Sequence, residues 1–296
     1  MSETIVFFGS GPVAAASLKL LADNFDIEAV ITKPQPAHHK ESFPVIEEAK
    51  RRQLTILTAS NQRELSTIFQ EHDLKSSLGV IIDHGIILKK DVIEKFPLGI
   101  INSHFSLLPR WRGPDPISYA ILNGDEETGV SLMVIVEELD EGALIAQAAV
   151  PIASDATTPS LTEELINVSH QLLCQYLPRY QAGDIIPYPQ SNNTPTYSRK
   201  LKKVDGIIDW NKSVIEIERQ IRAYKGWPRS RTTISQIDCV ITAAHTEDQH
   251  GEPGKLYIHN RSMGVFCLDG LLMIDSLTPA GKKEMSAQAF LNGYKP

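Results

Sequence analysis

Two residues with complementary chemistry, Asn102 and His104, stand two positions apart in the segment INSHFSLLPRWRGPDP, residues 101–116. Alternate residues of a strand point to the same face, so the two side chains share one space. An amide can donate a hydrogen bond to an oxygen on which negative charge develops, and an imidazole can move a proton near neutral pH. The pair predicts a site that stabilises a tetrahedral centre and takes the proton of an attacking amine.

A histidine in this role is usually held by a third group, as a carboxylate holds it in catalytic triads. The leading candidate is Asp140, in the segment EELDEG between two predicted strands. Glu137, Glu138 and Glu141 are close rivals, and spacing does not choose among the four. Each residue also has a plainer interpretation, because histidines often cap a strand, and Asn and Asp are common turn residues.

The segments around this pair alternate between short apolar runs and amphipathic stretches. Such alternation predicts strands and helices of a Rossmann-like, doubly wound, mostly parallel α/β sheet. Ligands of these sheets bind beyond the carboxyl ends of the strands, where the strand order reverses. Asn102 and His104 stand at one such end. The predicted strands are ETIVFFGS, IEAVIT, LTILT, SLGVIID and LGIINSH, followed by a strand pair in TGVSLMVIVEELDEGALIAQAAVPI.

The first turn resembles a nucleotide-binding motif, because Gly9, Gly11 and Ala14 fit the pattern G-x-G-x-x-G/A. That pattern indicates a dinucleotide site only where an acidic residue ends the second strand and holds the ribose. The second strand instead ends at Thr32 and Lys33. The sequence therefore favours a tight strand-to-helix turn over a nicotinamide cofactor.

A Pro- and Asn-rich segment, GDIIPYPQSNNTPTYSRKLKK, predicts an exposed linker after a long helix. One helix and several short strands separated by turn residues follow it, a pattern typical of a small β-barrel. We expect a catalytic domain over residues 1–186, a linker over 187–204 and a C-terminal domain over 205–296.

Length and composition indicate two domains, since the chain has 296 residues of which 42% are hydrophobic. We expect a soluble, cytoplasmic protein without a membrane partner, because there is no signal-peptide pattern and no long apolar run. Three separated cysteines, Cys174, Cys239 and Cys267, favour reduced thiols over disulfides or zinc ligands.

Charge is distributed unevenly along a chain whose net charge is −7. Residues 1–190 carry 14 Lys and Arg against 25 Asp and Glu, whereas residues 191–296 carry 15 against 11. Ordinary surface variation explains such an asymmetry as well as function does, but it also suits a C-terminal third that meets a polyanion.

The segment INSHFSLLPRWRGPDPISYAILNGDEETGVSLM, together with the later VEELDEGALI, resembles the folate-dependent formyltransferases. Their signature is an Asn-x-His-x-Ser-Leu-Leu-Pro loop, an Arg-Gly turn and a later Leu-Asp-x-Gly. In the last third, IDWNKSVIEIERQIRAYKGWP and LTPAGKKEMSAQAFLNG are similar to the C-terminal domain of those members that act on methionyl-tRNA. With VFFGS near the start, the resemblance covers nearly the whole chain.

The resemblance implies formyl transfer from N10 of 10-formyltetrahydrofolate to the α-amino group of methionine on initiator tRNA, without a metal. It gives the catalytic positions to Asn102, His104 and Asp140. It gives folate contacts to the loop Ser106, Leu107, Leu108 and Pro109 and to the wall His84, Gly85 and Ile86. It makes the C-terminal domain an OB-like β-barrel that helps to hold tRNA, through Arg199, Lys200, Lys202, Lys203, Lys282 and Lys283. We expect a monomer.

Three positions depart from the pattern of the tRNA enzymes. Phe105 replaces a small residue, Asp115 replaces Ala, and Glu141 replaces Thr. The first two are closer to relatives that formylate amino sugars on nucleotides, and the early loop KPQPAHHKES is shorter and less basic than in the bacterial tRNA enzymes. The alternatives are therefore a sugar-nucleotide N-formyltransferase and a tRNA-binding homologue without catalysis.

Overall fold

The computed structural model describes residues 4–35, 43–191 and 194–294. Most of the early loop at 33–42 therefore lies outside the described residues. The chain forms two compact units. The N-terminal unit comprises Met1–Gly113, Thr128–Val150 and Thr162–Tyr197, and the C-terminal unit comprises Pro114–Glu127, Pro151–Leu161 and Ser198–Pro296.

A seven-stranded sheet forms the centre of the N-terminal unit. Its order is β3-β2-β1-β4-β5-β6-β7. The pairs among β1 to β5 are parallel, and β6 runs antiparallel to β5, which confirms the predicted mostly parallel α/β sheet. The strands are β1 (Thr4–Phe8), β2 (Asp26–Thr32), β3 (Ile56–Thr58), β4 (Gly79–Ile81), β5 (Ile100–His104), β6 (Glu127–Val134) and β7 (Leu144–Pro151).

Helices separate the parallel strands, as the alternation in the sequence predicts. The short α4 was not predicted, because four residues are too few to show a helical period. The helices between the parallel strands are α1 (Pro12–Leu21), α2 (Pro44–Arg51), α3 (Gln62–Glu71) and α4 (Lys90–Ile93). Helix α5 (Pro116–Asn123), between β5 and β6, belongs to the C-terminal unit, and α6 (Thr158–Gln181) follows β7. None of the helices in the described part of the chain is long and apolar enough to cross a membrane.

The turn after β1 is tightly packed. A Cβ on Gly9 would lie 2.5 Å from that of Ala14, and one on Gly11 would lie 2.0 Å from a carboxylate oxygen of Asp83. Both glycines are therefore needed for close approach at the start of α1. The Asp83 carboxylate lies where a dinucleotide would place its own negative charge, at the N-terminus of that helix.

The C-terminal unit contains a separate six-stranded antiparallel sheet, with the order β10-β11-β12-β9-β8 and β13 paired to β12. Helices α7 and α8 pack on it around a core that includes Ile217, Leu272 and Phe290. Its elements are α7 (Val214–Ala223), β8 (Ser230–Ile234), β9 (Ile237–Glu247), β10 (Leu256–His259), β11 (Ser262–Phe266), β12 (Leu271–Pro279), β13 (Met285–Ser286) and α8 (Ala287–Tyr294).

The segment 183–203, which the sequence predicts to be an exposed linker, pairs with the rest of the N-terminal unit at two points. Most of its described residues are exposed, but Tyr188 forms an isolated bridge with Leu144, and Tyr197 forms one with Arg112. Backbone pairing of this kind fixes the segment against the N-terminal unit. It therefore contributes structure there as well as connecting the two sheets.

Candidate active site

Asn102 and His104 lie at the carboxyl end of β5, two residues apart on one face of the sheet. In the register of the sheet, Asn102 lies between Ile81 of β4 and Met133 of β6, and His104 lies beside Ser131. His104 is buried, and Asn102 is partly exposed. Because β5 pairs with β4 on one side and with β6 on the other, its backbone fixes the separation of the two side chains.

The imidazole of His104 lies between a carbonyl and a carboxylate. Its Nε2 is 2.9 Å from the backbone oxygen of Trp111, and its Nδ1 is 3.7 Å from Oδ2 of Asp140. A carbonyl oxygen only accepts hydrogen bonds, so Nε2 carries a proton in this arrangement. The distance of 3.7 Å is too long for a hydrogen bond, so Nδ1 is the ring nitrogen left for a further partner.

The structure brings Asp140 to the pair, whereas Glu141 turns toward Arg112. Oδ2 of Asp140 accepts a hydrogen bond from the backbone N–H of Gly113 at 2.7 Å, and Oδ1 lies 3.4 Å from Nδ2 of Asn102. Asn102, His104 and Asp140 thus form one cluster within the N-terminal unit. The polar atoms that face one another in it are Nδ2 of the amide, Nδ1 of the imidazole and the carboxylate.

The turn that carries Asp140 has a demanding backbone. Asp140 has a φ of 52°, in the left-handed region that Asp and Asn tolerate better than most residues. Two residues later, a Cβ on Gly142 would lie 1.7 Å from the backbone oxygen of Val134. The Leu-Asp-x-Gly pattern thus has a steric reason, because only glycine lets the turn approach β6 this closely.

Arg112 and Gln190 complete the surroundings of this turn, and sequence reasoning missed both roles. Arg112 is buried and pairs with Glu141 at 2.8 Å. Gln190 accepts hydrogen bonds from that guanidinium and donates to the backbone oxygens of Asp140 and Gly142. No signal in the sequence marks Gln190, since it lies in an irregular stretch.

Much of the polar backbone of the loop assigned to folate is engaged within the protein. The hydroxyl of Ser106 donates to the backbone oxygen of Arg110 at 2.6 Å. The backbone N–H of Leu108 donates to Ser131, and its carbonyl accepts from Gln147 at 3.0 Å. Leu107 is partly exposed, and Leu108 and Pro109 are buried. These bonds give the loop a fixed shape.

The wall assigned to the pterin has one unusual member, His84. Its ring is buried against Phe8, and neither ring nitrogen has a hydrogen-bond partner among the residues that the structure describes. Burial, followed by the nearby charge of Lys33, lowers the pKa of His84 to about 4. Gly85 has a φ of 70°, and a Cβ there would lie 3.0 Å from Nζ of Lys33, whereas Ile86 packs into the core.

The six basic residues assigned to tRNA all lie in the C-terminal unit, and their side chains are exposed. Arg199 differs from the others because it makes two hydrogen bonds of 2.7 Å with Asp205. This contact with Arg199 holds the pKa of Asp205 at about 2, below its usual 3.8. The charge of Arg199 is therefore compensated, whereas the lysines 200, 202, 203, 282 and 283 extend into solvent.

Two of the residues that depart from the family pattern are accommodated inside the protein. Phe105, which directly precedes the loop Ser106 to Pro109, is buried. Asp115 starts α5 with a φ of 61°, and its carboxylate accepts the backbone N–H of Leu201 at 2.9 Å. Among residues 4–35, 43–191 and 194–294, no group of three or more His, Cys, Asp or Glu is arranged to hold a metal ion.

Two family models match the chain, "Formyl transferase" over residues 4–177 and "Formyl transferase, C-terminal domain" over residues 200–295. Curated relatives span the whole chain. Methionyl-tRNA formyltransferase of Roseiflexus castenholzii is 39% identical, covering 100% of this chain and 97% of the relative. The enzyme of the same name from Symbiobacterium thermophilum is 37% identical, covering 98% and 92%.

Solved structures share the fold at low sequence identity. An N-formyltransferase from Helicobacter canadensis, in complex with folinic acid and dTDP-3-aminofucose, has a TM-score of 0.70 at 20% identity and covers 96% of this chain and 100% of that chain. HypX from Aquifex aeolicus, in complex with tetrahydrofolic acid, has a TM-score of 0.66 at 17% identity and covers 98% and 47%.

Proposed function

Because the chain belongs to the formyl transferase family in both its N-terminal and C-terminal domains, we propose that it formylates the α-amino group of methionyl initiator tRNA. The donor is 10-formyltetrahydrofolate, and the product serves translation initiation in the cytoplasm. The observation that carries the proposal is the cluster of Asn102, His104 and Asp140, in a chain that matches methionyl-tRNA formyltransferases from end to end.

Each of the three residues supplies a different polar group to the reaction. Bound 10-formyltetrahydrofolate supplies a formyl group on N10. Asn102 donates through Nδ2 to the formyl oxygen as negative charge develops there, and Nδ1 of His104, which lies 3.7 Å from Asp140, accepts the proton of the attacking amine. Asp140, with Oδ2 at 3.7 Å from Nδ1, stabilises the protonated form of the imidazole by its charge. The amine proton is thus accepted within the cluster and returned to the nitrogen that leaves.

The residues around the cluster suit a folate. A pterin carries several hydrogen-bond donors and acceptors, and the buried His84 offers two ring nitrogens that no residue in the described ranges binds. The preformed loop of Ser106, Leu107, Leu108 and Pro109 gives a rigid edge for the same ligand. We assign these residues, with Gly85 and Ile86, to the folate.

The C-terminal unit is assigned to tRNA. Its antiparallel sheet supports an OB-like barrel, an architecture often used to bind nucleic acid. Lysines 200, 202, 203, 282 and 283 are exposed and supply phosphate contacts, with Arg199 in a structural role as well. We retain the domain limits 1–186, 187–204 and 205–296 and a monomeric enzyme as parts of the proposal.

An amino-sugar nucleotide is the second candidate acceptor, because solved sugar N-formyltransferases share this fold. The two residues that favoured it from the sequence, Phe105 and Asp115, are both accommodated within the protein. Phe105 is buried, and Asp115 binds the backbone of Leu201. Their presence is thus explained by packing and by a helix start, so neither of them calls for a sugar.

The test is formyl transfer from 10-formyltetrahydrofolate to three acceptors side by side: methionyl initiator tRNA, methionyl elongator tRNA and an amino-sugar nucleotide. We expect product with the initiator alone, and a His104→Ala variant measured in parallel should lose it. Transfer to the sugar with both tRNAs untouched would refute the proposed acceptor and leave the donor site intact. Unchanged transfer in the His104→Ala variant would refute the catalytic role of His104.

A further inference from the structure

We propose that Gln190 is a positioning residue of the active site, which acts with Arg112 to hold the turn that carries Asp140. This inference rests on the proposed formyl transfer, in which Asp140 acts on the reacting groups through the imidazole of His104. Gln190 belongs to the segment that follows α6, 50 residues after Asp140. All the residues concerned lie in the N-terminal unit.

The carboxamide of Gln190 clamps the turn at two points. Its Nε2 donates to the backbone oxygen of Asp140 at 2.7 Å and to that of Gly142 at 3.0 Å. Both amide protons are therefore used on the carbonyls that flank residue 141. Asp140 has a φ of 52°, a conformation that the surrounding structure must hold in place.

Arg112 fixes the orientation of this carboxamide. Oε1 of Gln190 accepts from Nη2 of Arg112 at 2.8 Å and from Nε at 3.3 Å. Because a guanidinium only donates, the oxygen of the carboxamide must face Arg112 and the nitrogen must face the turn. Nη1 of Arg112 pairs with Glu141 at 2.8 Å, so Arg112 contacts the turn through Glu141 as well as through Gln190.

The two residues that flank Arg112 in its loop also contact the catalytic cluster. The backbone oxygen of Trp111 accepts from Nε2 of His104, and the backbone N–H of Gly113 donates to Oδ2 of Asp140. Thr196 fixes the same loop, since its Oγ1 accepts from the N–H of Trp111 and its carbonyl oxygen from the N–H of Arg112, both at 2.9 Å. The segment after α6 therefore sets the geometry between His104 and Asp140.

Two substitutions separate this positioning role from packing. Gln190→Leu removes every polar contact of the side chain, whereas Gln190→Glu keeps an oxygen for Arg112 but loses both donors to the turn. A displacement of about 1 Å in a catalytic group can cost about 100-fold in rate. We expect both variants to lose about 10- to 100-fold in kcat, with the KM for 10-formyltetrahydrofolate within about threefold of the wild type.

The control is Gln249→Leu, at an exposed glutamine in the C-terminal unit, which should keep the wild-type kcat. Urea unfolding of each variant shows that it is folded, and Gln190→Glu decides the question if Gln190→Leu does not fold. Wild-type kcat in Gln190→Glu, or in a folded Gln190→Leu, would overturn the positioning role. The wild type is assayed first with all three acceptors, so a failure of the proposed function is seen before any variant is compared.

Discussion

Replacing Asp140 with asparagine should abolish most of the activity while leaving the fold nearly unchanged. The residue is suited to this test because asparagine has the same shape and also tolerates the left-handed backbone at φ 52°. It keeps an oxygen to accept the N–H of Gly113, which lies 2.7 Å from Oδ2 of Asp140. What the substitution removes is the negative charge.

The magnitude follows from the distances. Nδ1 of His104 lies 3.7 Å from Oδ2 of Asp140, and two unit charges about 4 Å apart interact by about 4 kcal/mol at an effective dielectric constant of about 20. Losing that stabilisation of a protonated imidazole would slow the reaction by about 10³-fold. The new amide group would also face Nδ2 of Asn102, a second donor, across 3.4 Å.

Stability should change far less than activity. Exchanging a charge-assisted hydrogen bond for a neutral one costs about 1 kcal/mol of the free energy of unfolding. Asp140→Ala is the poorer test, because it also leaves the N–H of Gly113 without its acceptor, at a further cost of about 1–3 kcal/mol.

The assay is single-turnover formylation of methionyl initiator tRNA, together with urea unfolding of the same preparations. We expect a loss of about 10³-fold in rate with unfolding free energies within about 1 kcal/mol of each other. A rate within about threefold of the wild type would refute the reasoning, because the carboxylate charge would then contribute nothing to the transition state.

Three further outcomes are expected. Gly142→Ala should lose activity and at least about 2 kcal/mol of unfolding free energy, because its Cβ would meet a backbone oxygen at 1.7 Å. Gly293→Ala, in α8, would place a Cβ with no described atom within 4 Å and should gain about 0.5–1 kcal/mol. Between pH 6.5 and about 4 the unfolded chain binds a proton that the folded His84 does not, so stability should fall as the pH falls, by about 3 kcal/mol more in the wild type than in His84→Phe. The double substitution Lys202→Ala and Lys203→Ala should raise the KM for tRNA and make its salt dependence shallower by about one unit of slope for each phosphate that is no longer neutralised.

Each of these expectations has a clear contrary result. Equal unfolding free energies for the two glycine variants would contradict the close approach of the turn to β6. Parallel stability curves for the wild type and His84→Phe across the acid range would contradict a neutral buried imidazole. An unchanged salt slope, with the KM for 10-formyltetrahydrofolate as the internal control, would remove those two lysines from the tRNA surface.

The sequence was sufficient to predict the sheet because its signals are local. The strands are indicated directly by apolar runs of strand length. The helices are indicated by Pro at their first position and, for α5, by Gly124 after its end. The proximity of Asn102 and His104 could be predicted for the same reason, since both residues belong to one strand. The motif and the element that positions it occupy the same few residues.

The choice of Asp140 among four acidic residues needed the fold. Asp140 and Glu141 are neighbours in the chain, yet one faces His104 and the other faces Arg112. That difference is set by the left-handed backbone at Asp140 and by the close approach at Gly142, neither of which spacing reveals. Gln190 was missed for a related reason, because its partners lie 48 to 78 residues away in sequence.

The residues that depart from the family pattern are accounted for by their neighbours in this chain. Arg112 is buried, and a buried cation is costly unless a counter-charge is near, so Glu141 supplies what a threonine at that position could not. Asp115 starts α5 from a left-handed backbone and binds the chain at Leu201. Because these carboxylates are engaged within the protein, they add little free charge to the site, and the choice of acceptor must depend on surfaces other than these positions.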